Sequence, residues 1–258
     1  MDDILALYEE HQRKNVNYYG MRRERTADVV RLVDQSDWQG MITWSRLDES
    51  NADRVIEEQI GYYQGLGQTF EWKLYTHDTP ADLKERLIAH GFEVEEAETI
   101  MALDLDKAPA HLLEPVTADI RRVTDVAGLG PVVEVMNKVW DEDHSGLLTF
   151  LGDELVNHGD YLSIYVAYAG GVPASVAWIR FIEDSLFAEL LGGSTLVEYR
   201  KQGLYTALLA LRAQEALSRG VRFLSIDASA MSAPIVAKYG FEPLTVSYPC
   251  NWKVNKGN

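Results

Sequence analysis

Cysteine is almost missing from this chain: among 258 residues there is one, Cys250. A single thiol excludes an internal disulfide and any metal cluster built on cysteine. With no histidine beside it in sequence, Cys250 reads as a small apolar residue in a strand and not as a nucleophile. Basic residues are scarce as well, with 24 Lys and Arg against 40 Asp and Glu and a formal net charge of −16. A surface of that sign cannot gain from releasing the counterions of a nucleic acid, so nucleic acid is excluded as a partner. The same charge suits a cationic ligand, although surface carboxylates also serve solubility. The six histidines are scattered, with no pair four apart on a helix, and no metal is expected. No apolar run reaches the roughly 20 residues of a membrane span. The start, Met1-Asp2-Asp3-Ile4, lacks the basic-then-apolar order of a signal peptide. A soluble, cytoplasmic protein without a membrane partner is expected.

The chain does have the apolar content, 47% of residues, for one large core or two modest ones. Alternation stops in the segment 106–115, which carries Pro109 and Pro115, and this divides the chain into domains 1–112 and 113–258. In the second domain the pattern reads as a strand at 120–123, a helix at 126–140, a polar irregular stretch at 141–160 and a strand at 161–168. Gly170-Gly171 then turns the chain into a strand at 172–181, followed by another at 186–191. A helix from Leu204, with Leu208 and Leu211 on its apolar face and Gly220 as its stop, comes next. A strand at 223–227, a short helix ending at Gly240-Phe241 and a last strand at 245–248 complete it. Three antiparallel strands in a row are not what a dinucleotide-binding Rossmann unit shows, so the class is α+β, with a mostly antiparallel sheet flanked by helices.

The most informative segment lies between the strand at 186–191 and the Leu204 helix. Leu191-Gly192-Gly193 leads to Arg200-Lys201-Gln202-Gly203-Leu204-Tyr205-Thr206. The first amides of a helix have no intrahelical acceptor and sit at the positive end of its dipole, so they bind anions. Gly203 admits a ligand to the backbone and Arg200 and Lys201 add charge, which together suit a pyrophosphate. Many strand-to-helix turns need a glycine and bind nothing, and the turn alone leaves that reading open.

Arg200-Lys201-Gln202-Gly203-Leu204-Tyr205 resembles the acyl-CoA signature of the GNAT acetyltransferase superfamily, an Arg or Gln, two variable residues, Gly, a variable residue, then Gly or Ala. The resemblance runs through Arg219-Gly220 and 223–227 to the closing Gly240-Phe241, covering roughly the last half of the chain. It implies the GNAT sheet, acetyl-CoA as acyl donor, and transfer of its acetyl group directly to the primary amine of a small molecule. It implies acyl-donor contacts at Leu191, Gly192, Gly193 and residues 200–206. The family commonly forms dimers, and nothing in the sequence decides that here. Tyr205 departs from the signature's small residue: its bulk crowds the phosphates unless its ring turns outward. Val236 stands where many members carry the tyrosine that protonates the leaving thiolate.

The chemistry asks for three things: the amine must lose a proton, the thioester oxygen must be stabilised, and the thiolate must leave. An alkylamine has a pKa of about 10, so a base is needed. Glu189 is the candidate, in a strand where certain members of the resembled family place a catalytic glutamate; apolar strand neighbours would raise its pKa. The alternative is a carboxylate on a solvated strand face. Backbone amides near 191–193 would face the oxygen. Ser232, one turn before Val236, and Tyr239 are the candidates for the thiol proton. Ser232 reads equally as a residue capping the helix at Pro234, and Tyr239 points away if the segment is a regular helix.

The first domain repeats the pattern weakly. A helix closes on Gly91-Phe92-Glu93 as another closes on Gly240-Phe241-Glu242, and each precedes an apolar strand. Strands at 29–33, 40–44 and 70–75 flank a helix at 51–66, but no comparable glycine-bearing basic loop precedes that helix. This half resembles a degenerate GNAT unit without its own CoA site, supporting the second domain or walling the acceptor cleft. Trp44, Arg46, Glu71 and Trp72 are pocket candidates there, with core packing as the alternative. Two functions of different class remain: an N-acetyltransferase, and a non-catalytic acyl-CoA-binding regulatory module. A tandem aminoacyl transferase using charged tRNA is disfavoured by the charge.

Overall fold

In the computed structural model, which describes residues 2–35 and 39–254, the elements follow the apolar periodicity closely. Helix α1 (Asp2–Tyr8) runs into a π-helical turn (Glu9–Lys14), followed by β1 (Met21–Arg25), β2 (Val29–Asp34), β3 (Gln39–Ser45), α2 (Ala52–Leu66), β4 (Thr69–Tyr75), α3 (Leu83–Ala89), β5 (Glu93–Val94) and β6 (Glu98–Asp104). Then come α4 (Ala110–Leu113), β7 (Ile120–Val123), α5 (Gly130–Trp140), α6 (Gly146–Asn157), β8 (Leu162–Ala169), β9 (Val172–Phe181), β10 (Phe187–Thr195), α7 (Leu204–Ser218), β11 (Phe223–Ala228), α8 (Ala233–Val236) and β12 (Glu242–Trp252). The chain divides into two compact units. The first comprises the chain up to Met101, Asp227–Pro234 and the segment from Pro243 onward; the second comprises Ala102–Ile226 and Ile235–Glu242.

In the first unit the strand order is β1-β2-β3-β4-β12-β6. β3 and β4 run parallel from Gln39↔Thr69 to Ile42↔Trp72, and β12 pairs antiparallel with β4 from Ser247↔Tyr75 to Trp252↔Phe70. One sheet face carries Ile42, Phe70, Trp72, Leu74 and Cys250 against Val55, Ile56 and Tyr63 of α2 and Leu83 and Leu87 of α3. The single cysteine is a buried core residue. Thr43 is an extra residue in β3, between the pairs Val30↔Trp44 and Arg31↔Ile42. Arg13, 1% exposed, closes on that bulge: its Nε donates to Thr43 O at 3.0 Å and its Nη2 to both carboxylate oxygens of Asp78 at 2.8 and 2.9 Å. Its guanidinium lies 3.8 Å from the centre of the Tyr75 ring.

In the second unit the order is β11-β10-β9-β8-β7. β7, β8, β9 and β10 pair antiparallel in sequence, and β10 runs parallel to β11 from Phe187↔Phe223 to Glu189↔Ser225. This is the mostly antiparallel α+β sheet expected. Leu162, Ile164, Val166, Val176 and Trp178 pack with Val132, Val135 and Met136 of α5 and Leu151 and Leu155 of α6. Ser163 and Tyr165 alternate with those β8 residues and reach the other face, where each hydroxyl donates to Glu215 of α7 at 2.7 Å.

Two sequence assignments need correction. The helix expected over 126–140 is a 3₁₀ turn (Val126–Leu129) followed by α5, and the stretch expected to be irregular, 141–160, contains α6. The polar composition of that stretch hides a buried side: Leu151 and Leu155 of α6 pack with Val132 and Val135 of α5. Of the face expected for α7, Leu204, Leu208 and Ala210 are buried and Leu211 is half-buried, and the buried side also takes in Leu209, Arg212, Ala213 and Ala216. No helix among the described residues is long and apolar enough to cross a membrane.

Candidate active site

The β9–β10 ladder breaks between Leu191↔Trp178 and Ser194↔Val176, so that Gly192 and Gly193 together face Ala177. The sequence permits this only with glycine at the first position. Gly192 has φ +63°, and a Cβ on it would stand 1.9 Å from the Trp178 ring. A Cβ on Gly193 would lie 3.1 Å from the ring of Tyr205, which is therefore turned towards β10 and not outward. Burial pushes the Tyr205 hydroxyl pKa up. Around the break, Trp140 Nε1 donates to Ser194 Oγ at 3.2 Å and Ser175 Oγ donates to Ser194 O at 2.8 Å.

Beyond β10 the backbone makes a 3₁₀ turn (Val197–Tyr199), is extended at Arg200, and turns through positive φ at Lys201 (+61°) and Gly203 (+82°) into α7. No side chain caps α7. Arg200, Lys201, Gln202 and Gly203 are exposed, while Leu204 is buried and anchors the first turn. Arg200 Nε donates to Thr195 O at 3.2 Å and Gln202 Nε2 to Glu198 O at 3.1 Å, holding the loop's shape. A non-glycine residue at positive φ beside an uncapped helix N-terminus, with two cations exposed, is an arrangement suited to an anion. Under α7, Arg212 is 1% exposed and meets only backbone carbonyls, Leu208 O and Trp178 O, each at 3.1 Å. Burial pushes its guanidinium pKa down to about 10. Arg212 was not singled out from the sequence, where its spacing of four from Leu208 was the signal for a buried position.

Glu189 lies on the α5–α6 face of β10, opposite Arg180 of β9. Its surroundings are ionic and not, as expected, apolar: Arg180 Nη1 is 3.6 Å from Glu189 Oε2, and Arg180 Nη2 is 3.1 Å from Glu154 Oε1 of α6. Glu154 is 5% exposed, and burial raises its pKa against the opposing pull of Arg180. Neither partner was singled out from sequence, because Glu154 sat in the stretch read as irregular.

Tyr239 falls in a 3₁₀ turn (Ala237–Tyr239) after a four-residue α8, so the regular-helix geometry that would point it away does not apply. Its hydroxyl is 2.5 Å from Thr206 Oγ1 in the first turn of α7. Val236 is fully buried. Ser232 belongs to the first unit, in a turn just before α8: its N–H donates to Ser229 O at 3.1 Å, and its Oγ lies 3.2 Å from Ser229 Oγ. It is not one turn along the same helix as Val236. Thus residues 191–193, 200–206, Glu189 and Tyr239 share the second unit, and Ser232 does not.

The four pocket candidates of the first unit do not converge. Trp72 is core, whereas Glu71, next to it in β4, points to the opposite sheet face. Trp44 is flanked by Lys14 and Arg25, and Arg46 donates to Ala27 O. Glu71 is pushed up to about 7 by burial, against the pull of Lys73, which pairs with Asp227. No group of three or more His, Cys, Asp or Glu among the described residues could hold a metal ion.

No family model matches the chain, and no curated protein matches it. Solved structures do. A GCN5-related N-acetyltransferase from Kribbella flavida superposes with a TM-score of 0.67 at 16% identity, over 99% of this chain and 95% of that one. A functionally unknown conserved protein from Staphylococcus epidermidis gives 0.71 at 13%, over 98% and 100%. A tandem GNAT protein from the clavulanic acid biosynthesis pathway gives 0.58 at 15%, over 94% and 86%. At such identities the likeness is one of fold, and the fold of this chain is that of the GCN5-related N-acetyltransferases.

Proposed function

We propose that this protein is an acetyl-CoA-dependent N-acetyltransferase that moves the acetyl group directly to a primary amine of a small molecule. Residues 113–258 would be its catalytic part and residues 1–112 a GNAT-like half without a donor site. The observation that carries the reading is the uncapped N-terminus of α7, with Arg200 and Lys201 exposed beside it, directly after the break in β10. Helix N–H groups of residues 203–206 and the two cations bind a pyrophosphate. Backbone N–H groups released near Leu191–Gly193 face the thioester oxygen as it gains charge. Glu189 takes the proton of the attacking amine. Tyr239, held by Thr206, supplies the proton to the departing sulfur, a modest demand for a thiol of pKa about 8.5.

The experiment is calorimetric titration with acetyl-CoA beside thiol release over a panel of amino acids, polyamines and aminoglycosides. The wild type is expected to bind and to turn over at least one amine. Arg200→Glu with Gly203→Trp is expected to lose binding by roughly 100-fold or more while unfolding as the wild type does; retained affinity would overturn the donor site. A second reading, a non-catalytic acyl-CoA-binding module, is favoured by Val236 and by the cation beside Glu189. Tight binding without turnover over the whole panel would select it.

A further inference from the structure

We propose that Glu154 is a positioning residue for Glu189: by engaging Arg180 from α6, it keeps that guanidinium from closing on the Glu189 carboxylate. The inference rests on the reading of Glu189 as the base.

Three side chains on one face of the second unit share two negative charges and one positive. Arg180 stands opposite Glu189 in the β9–β10 ladder, so the strand register alone would join the two in a cross-strand ion pair. A guanidinium seated on both oxygens of a carboxylate holds its negative charge and lowers its affinity for a proton, which disables a base. In the structure that ion pair is a loose one. Arg180 gives its hydrogen-bonding contact to Glu154 Oε1, at 3.1 Å, and stays 3.6 Å from Glu189 Oε2, beyond a direct hydrogen bond. Side-chain exposures of 6%, 12% and 16% for Glu154, Arg180 and Glu189 place the deepest carboxylate on α6 and the most accessible on β10. The second oxygen of Glu154, Oε2, is buried with no hydrogen-bond partner. A buried carboxylate with an unsatisfied oxygen is expensive, and hydrogen bonding a core helix to a sheet arginine is a weak reason to keep one. Competition for Arg180 gives it a use.

The test is a double-mutant cycle read in kcat and KM, using acetyl-CoA and the panel amine with the highest turnover. Glu154→Gln is expected to lower kcat by roughly 10-fold, with the KM for acetyl-CoA within about 2-fold, because Arg180 then closes on Glu189. Adding Arg180→Met is expected to restore kcat to within about 3-fold of the wild type, an outcome that a purely structural role cannot produce. Thermal unfolding of each variant identifies any that misfold. Glu154→Asp keeps the charge and is the reserve variant, with a partial loss expected as the carboxylate withdraws. A kcat for Glu154→Gln, or for Glu154→Asp if the former misfolds, equal to that of the wild type would overturn the proposal. So would a double variant no better than Glu154→Gln. Failure of the parent reading is separate: it appears as an unchanged kcat in Glu189→Gln.

Discussion

Twice this chain passes from a strand with a parallel neighbour, through a turn, into a helix, and the two passages are filled in opposite ways. Between β3 and α2 the carboxylate of Asp48 accepts from Ser50 N–H at 2.8 Å and Asn51 N–H at 3.1 Å, while Asn51 Oδ1 accepts from Asp48 N–H at 2.8 Å. Neither helix has a side-chain cap, but the turn between β10 and α7 carries no such carboxylate and presents Arg200, Lys201 and Gly203 to solvent. The strand bulges differ likewise. In β3 the extra residue Thr43 is tied to Arg13 in both directions, by Arg13 Nε to Thr43 O and by Thr43 Oγ1 to Arg13 O. In β10 the bulge is glycine, and the nearby Arg212 donates to Trp178 O across the ladder. The two turns therefore differ in their charges, a carboxylate in the first and two cations in the second.

Breaking the plug of the first unit should have the largest effect. Arg13→Met leaves Asp78 as a buried carboxylate without its cation and takes one partner from the half-buried Glu9, and is expected to cost about 3–5 kcal/mol in denaturant unfolding. A loss below about 1 kcal/mol would show the plug to be incidental. Next, Glu189→Gln is expected to lower kcat by roughly 100-fold and to flatten its rise with pH, with acetyl-CoA affinity changed less than about 2-fold. An unchanged pH profile would return Glu189 to a structural role. Glu71 concerns stability alone. Its carboxyl is neutral in the folded protein up to about pH 7 but ionises near 4.3 when unfolded, so folding gains from it below about 4.3 and loses that gain as pH rises through 7. Glu71→Gln should stabilise the protein by about 2–3 kcal/mol more at pH 8 than at pH 5, and equal effects at the two pH values would contradict the assignment. Smallest, Asp48→Ala, which removes the acceptor of the Ser50 and Asn51 N–H groups, should lower thermal stability only slightly and create no acetyl-CoA site. A second bound acetyl-CoA in that variant would show that the carboxylate alone closes the first passage.

Much of this was legible in the sequence because period and punctuation agreed. The meander 161–191 and the Leu204 helix each combined an apolar pattern with a turn residue, and each forms where it was read. Two errors arose where a local rule met tertiary packing. The stretch 141–160 was read as irregular from its polar residues, yet it contains α6, whose Leu151 and Leu155 pack in the core. Tyr239 was placed on a regular helix, but α8 lasts four residues and the 3₁₀ turn after it carries the hydroxyl to Thr206. The Arg180 contacts were invisible for a different reason: register decides which side chain of β9 faces Glu189, and a helix read as irregular supplied Glu154.

The central claim is that one of the two passages binds the acyl donor and the other does not. Calorimetric titration of the whole protein with acetyl-CoA tests it most directly. The account predicts one acetyl-CoA per chain, lost in the Arg200→Glu, Gly203→Trp variant and retained in Asp48→Ala. Two per chain, none, or a single site that survives the loop variant would contradict it.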